Sequence, residues 1–156
     1  MRNKTTHTTL VSLALFAAAN LAPIAVAAEK PGDIAEGKKV YARVCFACHQ
    51  PTGLGLPSVF PPLAGAEQVA GDPARLIRIV LHGLQGPIKV KGVTYTNIMP
   101  PHGPQLKDAE IADVLTYVRQ EWGNKAGPVT AEAVTKIRAA EKARTTMWTW
   151  AELEKL

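Results

Sequence analysis

With only two cysteines in 156 residues, the chain lacks the thiols for a disulfide framework or a four-thiolate metal site. No second cysteine–histidine cluster stands at a usual zinc spacing, and no strand-helix-strand pattern flanks the pair, which disfavours structural zinc and a thioredoxin-like redox motif. Methionine is scarce as well: Met1, Met99 and Met147 are the whole complement. Beyond the N-terminal segment no apolar run approaches the ~20 residues that a membrane-spanning helix needs. Internal repeats and low-complexity segments are absent. The net charge of +5 is too mild to single out nucleic acid or an anionic membrane surface as a partner.

What is present begins like an export leader. Arg2 and Lys4 give a positive start, Leu10 to Ala19 an apolar run, and Ala25-Val26-Ala27 a small-residue cleavage site. Asn20 and Pro23 interrupt the apolar stretch, and no cysteine near the site supports a lipoprotein anchor. Residues 1–27 are therefore expected to be a signal peptide, with an uncleaved anchor as the alternative. The mature chain would begin at Ala28 with a net charge of about +3. Its roughly 129 residues suffice to bury one core.

The chemistry is concentrated in Cys45-Phe46-Ala47-Cys48-His49. Two thiols separated by two residues and followed at once by a histidine form the attachment signal for c-type haem. Each thiol can add across a haem vinyl group, and His49 then stands where it can bind iron from one face. A plain disulfide or a chance match is the remaining alternative. One covalently attached haem c per chain is the expected cofactor.

The surrounding sequence reads as helices joined by proline-stiffened loops. Asp33 with Glu36 forms an Asp-x-x-Glu capping pattern, and Ile34, Val40, Tyr41 and Val44 recur at helical spacing towards Cys45. Gly37 and Tyr41 share a face, and a glycine tolerated within a helix marks a crossing point. Gln50 to Gly65 is loop, in which the Pro61 carbonyl is a candidate acceptor for the His49 Nδ1 hydrogen. Asp72-Pro73 opens a largely apolar helix that ends near His82-Gly83, with a left-handed cap expected at Gly83. Gly86 to Thr96 fits a short ribbon or an extended loop. Asp108 to Glu121 is amphipathic, with Trp122-Gly123-Asn124 as its C-cap. Thr130 caps another helix, and Thr149 to Glu152 is a capping-box pattern.

Met99 is the second functional candidate. It is neither in the leader nor in the tail, and Pro100-Pro101 would hold its loop rigid. A thioether is a soft, neutral iron ligand that favours the ferrous state. Filling a core gap is the alternative for Met99, and His102 and His82 are the rival ligands.

Taken together, residues 33–124 resemble a class I cytochrome c of the small periplasmic monohaem kind. The helix, the Cys-x-x-Cys-His motif, the proline-rich loop, the methionine loop and the closing helix follow in that family's order. Gly37 with Tyr41, Leu115 with Tyr117, and Pro61 with Leu63 match its helix-crossing faces and its Pro-x-Leu step. Phe60 to Gly65, Leu81 to Gly86 and Met99-Pro100-Pro101 are similar to cytochrome domains that accept electrons from periplasmic dehydrogenases, nitrite reductases or oxidases. Lys107 departs from the Ser or Thr common before the closing helix in that group.

The resemblance implies an all-α cytochrome c fold of three to five helices around one haem. It divides the chain into a signal peptide at 1–27, a cytochrome domain at 28–129 and a helical extension at 130–156. It further implies a periplasmic one-electron carrier, not an enzyme, with His49 and Met99 as iron ligands and a redox protein as partner. The exposed haem edge would be ringed by Phe46, Ala47, Leu54 and the Pro57 loop, with Lys38, Lys39, Lys89 and Lys91 to steer an acidic partner. The alternatives are a subunit bound to a dehydrogenase or reductase, on which Trp148 and Trp150 could pack, and an open-site haem enzyme or sensor.

Overall fold

The computed structural model describes residues 29–156; the signal-peptide and cleavage-site reading lies outside the described residues. Helix α1 (Ile34–Val40) starts where the Asp33 carboxylate accepts the Ala35 and Glu36 amides at 2.8 and 3.2 Å. The reciprocal half of the capping pattern does not form, because the Glu36 carboxylate pairs with Lys39 Nζ at 2.7 Å. The Asp33 amide instead donates to Asp113 Oδ1 at 2.7 Å, joining the helix start to a distant element. After Val40 the helix widens into a π-helical turn, Tyr41–Cys45, and resumes as α2 (Phe46–His49). A π-turn inserts a residue and rephases the helix, a device that recurs next to functional sites.

Helix α3 (Glu67–Ala70) is a single turn. Helix α4 (Pro73–His82) has Asp72 as its N-cap and buries Leu76, Ile77, Ile79, Val80 and Leu81. It stops at Gly83, whose φ of 81° is positive as expected, but whose ψ of 171° is extended rather than left-handed helical. That extension delivers the chain into β1 (Leu84–Gln85). Strands β2 (Ile88–Val90) and β3 (Val93–Tyr95) pair antiparallel, so 86–96 is a ribbon. The all-α expectation thus holds with two small strand pairings added.

Helix α5 (Asp108–Gln120) closes the domain against α1. Lys107 offers no side-chain acceptor, but Glu110 reaches back to the Lys107 amide at 2.9 Å, so half of a capping box survives. The two helices touch at Gly37, where a Cβ would collide with the Asp113 carbonyl and lie 2.8 Å from Tyr117 Cβ. Beyond the crossing, Tyr41, Tyr117 and Trp122 form an aromatic triangle with centroids 5.1–5.5 Å apart, each pair contributing about 0.5–1.5 kcal/mol beyond burial. Helix α5 ends two residues before the expected cap: Trp122 and Gly123 take positive φ, and Asn124 Nδ2 donates back to the Val118 carbonyl at 2.8 Å.

The C-terminal segment completes the core rather than trailing from it. Helix α6 (Ala131–Ala140) is capped by Thr130 Oγ1, which accepts the Ala133 amide. Strand β4 (Trp148–Thr149) pairs parallel with β1, and α7 (Trp150–Leu153) starts with the reciprocal Thr149–Glu152 capping box. Val134 and Leu153 are fully buried, and Trp148 is 8% exposed. Under α6, Arg78 pairs with Glu141 Oε1, while His82 Nε2 stands 3.4 Å from Glu141 Oε2.

Two outcomes follow from these contacts. Gly37→Ala should lower the unfolding free energy of the holoprotein by about 2–3 kcal/mol, read from denaturant midpoints, because the helix crossing must open. Burial lowers the pKa of His82, with Glu141 opposing and Arg144 and Arg138 adding to the effect. The unfolded chain therefore takes up this proton first. The contribution to stability is complete above the ordinary value of 6.5 and is lost as pH falls through the depressed folded value. In His82→Gln the fall in stability between about pH 7 and pH 5 should be shallower, as measured by urea unfolding.

Candidate haem site

An apolar cavity lies between α4 and α5 on one side and the 50–65 and 97–102 loops on the other. It has two adjoining lobes, and Cys45, His49, Pro61 and Met99 line both. Cys48 lines the outer lobe, so all five residues singled out as haem contacts in the sequence share one cavity wall. His102 lines the outer lobe too. His82 does not: it faces Glu141 beneath α6, because α4 turns its last residue away from the cavity. Among the described residues no Asp, Glu, Lys or Arg side chain lines either lobe.

His49 is held by the loop that follows it. Its Nδ1 lies 3.1 Å from the Pro61 carbonyl oxygen, and with the hydrogen on Nδ1 the ring donates this bond and leaves Nε2 as a bare lone pair. Burial lowers the His49 pKa, against the opposing pull of the Pro61 carbonyl, and His102 lowers it slightly further. The imidazole is therefore neutral, the form that binds a metal. Gly55 makes room for this contact: its φ is +64°, and a Cβ there would lie 2.6 Å from the Pro61 oxygen. The same loop is braced from just past the end of α5, where Asn124 accepts the Gly65 amide at 2.8 Å and donates to the Leu63 carbonyl at 3.1 Å.

Cys45 and Cys48 are half-buried free thiols. Burial, with Cys48 beside it, pushes the Cys45 thiol up to about 12, so it remains protonated at neutral pH. Met99 is fixed through its backbone, exchanging two 2.9 Å hydrogen bonds with Leu84. His102 is tied by its amide to the Val80 carbonyl at 2.8 Å, and its Nδ1 lies 2.6 Å from Gln105 Nε2.

Sequence reasoning missed two polar residues. Gln68 lines the inner lobe, with Nε2 donating to the Lys89 carbonyl at 2.8 Å and Oε1 buried without a partner. Arg119, 5% exposed, donates to the Val69, Gly71 and Gly127 carbonyls at 2.7–2.9 Å and so holds α3 behind the cavity. Neither carries a local signal, since each acts on carbonyls distant in sequence. Of the four lysines proposed for steering, Lys39 is paired with Glu36 and Lys91 Nζ reaches the Ala64 carbonyl. The donor set of two thiols, a neutral imidazole and a thioether around an apolar slot fits an iron porphyrin anchored by thioether links.

The Cytochrome c family profile matches residues 34–122. Cytochrome c-552 of Thermus thermophilus is 47% identical over 114 residues, covering 67% of this chain and 86% of that protein. The cytochrome c subunit of the quinone alcohol dehydrogenase of Gluconacetobacter polyoxogenes is 38% identical over 105 residues, but only 22% of that subunit is covered. The gluconate 2-dehydrogenase cytochrome c subunit of Pantoea cypripedii is 39% identical over 121 residues, with 27% of it covered.

Gly55→Ala should cost about 2 kcal/mol or more in stability, from positive-φ strain and the displaced Pro61 carbonyl. In the same variant the His49 Nδ1 proton resonance should shift, whereas in Gly123→Ala, where nothing lies within 4 Å of the added Cβ, it should stay in place.

Proposed function

Because this chain belongs to the cytochrome c family, electron carriers with covalently attached haem c, we propose that it is a periplasmic one-electron carrier in which His49 and Met99 bind the haem iron from opposite faces. The single observation that carries this reading is that Cys45, Cys48, His49 and Met99 line one cavity without charged side chains. The haem, when bound, supplies one iron that alternates between the ferric and ferrous states. Cys45 and Cys48 would hold the haem covalently, each thiol adding its sulfur and hydrogen across one vinyl group. The Pro61 carbonyl orients His49 and raises its basicity toward iron. Met99 would supply iron with a neutral thioether donor, which favours the ferrous state and raises the potential. The apolar walls from α4 and α5 keep water from the iron, so its surroundings reorganise little when the charge changes by one.

The half-buried cysteines and the exposed Phe46 and Leu54 support the cysteine-linked side as the route for electrons to a redox protein. Among the described residues no helix is long and apolar enough to cross a membrane. Together with the leader-like residues 1–27 this supports export and action in the periplasm. A subunit role is the second reading, favoured by the relatives that are dehydrogenase cytochrome subunits. Against it, the tryptophans that could have met a partner are engaged at home: Trp148 is buried, and Trp150 sits beneath Arg75. An open-site enzyme is disfavoured because the cavity wall offers no carboxylate beside His102 for acid–base work.

The optical spectrum of the exported protein tests the ligand set. A weak long-wavelength sulfur-to-ferric-iron band, no binding of carbon monoxide, and loss of the band in Met99→Ala are the expected results. Ready binding of carbon monoxide by the unaltered protein, or a spectrum indifferent to Met99→Ala, would overturn the closed His49/Met99 assignment.

A further inference from the structure

Residues 130–156 lie beyond the family match, yet they hold both ends of the loop that carries Met99. At the upstream end Met99 moves with Leu84, to which it is bonded in both directions. Leu84 is in register with Trp148 of β4, and the Trp148 amide donates to the Gly83 carbonyl at 3.1 Å. The Trp148 ring is pinned in turn by the Arg144 guanidinium, 3.3 Å from its centroid. Gly83 keeps this junction tight, since a Cβ there would stand 2.7 Å from the Met99 carbonyl oxygen.

At the downstream end one side chain adds to the backbone bonds that tie the His102 and Gly103 amides to the Val80 and Leu81 carbonyls. Arg138, projecting from α6, donates through Nη1 to the Gly103 carbonyl at 2.8 Å and through Nη2 to the Leu106 carbonyl at 2.9 Å. Its Nε meets Asp108 Oδ1, at the start of α5, at 2.6 Å. Three anchors for one planar fork are a geometry that a lysine ammonium cannot reproduce. Gly103 and Leu106 have irregular backbone around them, and Arg138 supplies the donors that no helix or strand provides there.

We propose that Arg138 is a positioning residue for Met99: with β4 it clamps the 99–106 loop so that the thioether stays on the iron. The proposal rests on Met99 being a ligand. A thioether binds iron weakly, so its occupancy depends on how little freedom the loop gains when the bond opens. A clamped loop keeps the effective concentration of the sulfur high at the open position. The C-terminal segment is then a strap on the ligand loop, and its contribution reaches beyond core burial.

Imidazole competes for the same axial position, and titrating it into the ferric full-length holoprotein reads the loop's hold directly. Arg138→Ala should bind imidazole about tenfold more tightly or better, as expected for the loss of charge-assisted bonds to two carbonyls. Arg138→Lys keeps the charge facing Asp108 but can satisfy only part of the fork, so its affinity should fall between the two and keep the proposal testable if the alanine variant does not fold. Asp33→Ala serves as a control: it removes the side-chain cap of α1, which lines neither the cavity nor the Met99 loop, and should lower the unfolding temperature without changing imidazole affinity. Imidazole affinities of both Arg138 variants within twofold of the unaltered protein, or a rise in Asp33→Ala as large as theirs, would overturn the clamp. If the unaltered ferric protein lacked the sulfur-to-iron band, the ligand assignment would fail first; a normal band with indifferent Arg138 variants would sink the clamp alone.

Discussion

A cavity walled by apolar side chains stays open only if the backbone around it is fastened by contacts made elsewhere. Here that constraint is met first at the α1–α5 crossing, where Gly37 lets the Asp113 carbonyl approach and the Asp33 amide reaches the Asp113 side chain. The crossing sets the line along which the helix runs through its π-turn to His49. Met99, on the same cavity wall, is tied through its backbone to Leu84, just beyond α4.

The segments that cover the cavity have little regular hydrogen bonding of their own. Their carbonyls are claimed by polar side chains reaching in from helices or from just past a helix end: Asn124 for Leu63, Arg119 for Val69 and Gly71, Arg138 for Gly103 and Leu106. Leaving such a group buried and unpaired costs about 1–3 kcal/mol, so each brace both stabilises and specifies the loop path. Charge is kept out of the cavity and spent at its outer scaffold, where Arg78, Glu141 and His82 meet under α6. For a carrier whose centre changes charge by one, walls that the described Asp, Glu, Lys and Arg side chains do not line limit how much the surroundings must rearrange.

The family match ends at residue 122, but the core does not. Val129, Val134, Trp148 and Leu153 are all buried, and β4 extends β1 at the junction where the methionine loop begins. In this chain the part outside the shared domain is structural for the part inside it.

The sequence by itself determined the elements whose cause is local. Cys45, Cys48 and His49 are contiguous, so their spacing already suits two vinyl groups and an iron ligand, and Asp33, Asp72, Thr130 and Thr149 mark helix starts because a cap acts on amides two or three residues away. Met99 stood out by scarcity, and Pro61 by its place after the motif. Other outcomes depended on which segments meet in space. Glu36 chose Lys39 over its own helix cap, Gly83 took an extended ψ to start a pairing with a strand more than sixty residues later, and His82 turned to Glu141 instead of the cavity. The roles of Gln68, Arg119 and Arg138 were equally illegible, because an arginine announces five donors and no address. Which carbonyls lack a partner is decided only when helices and loops have packed, and only the tertiary structure could assign those donors to them.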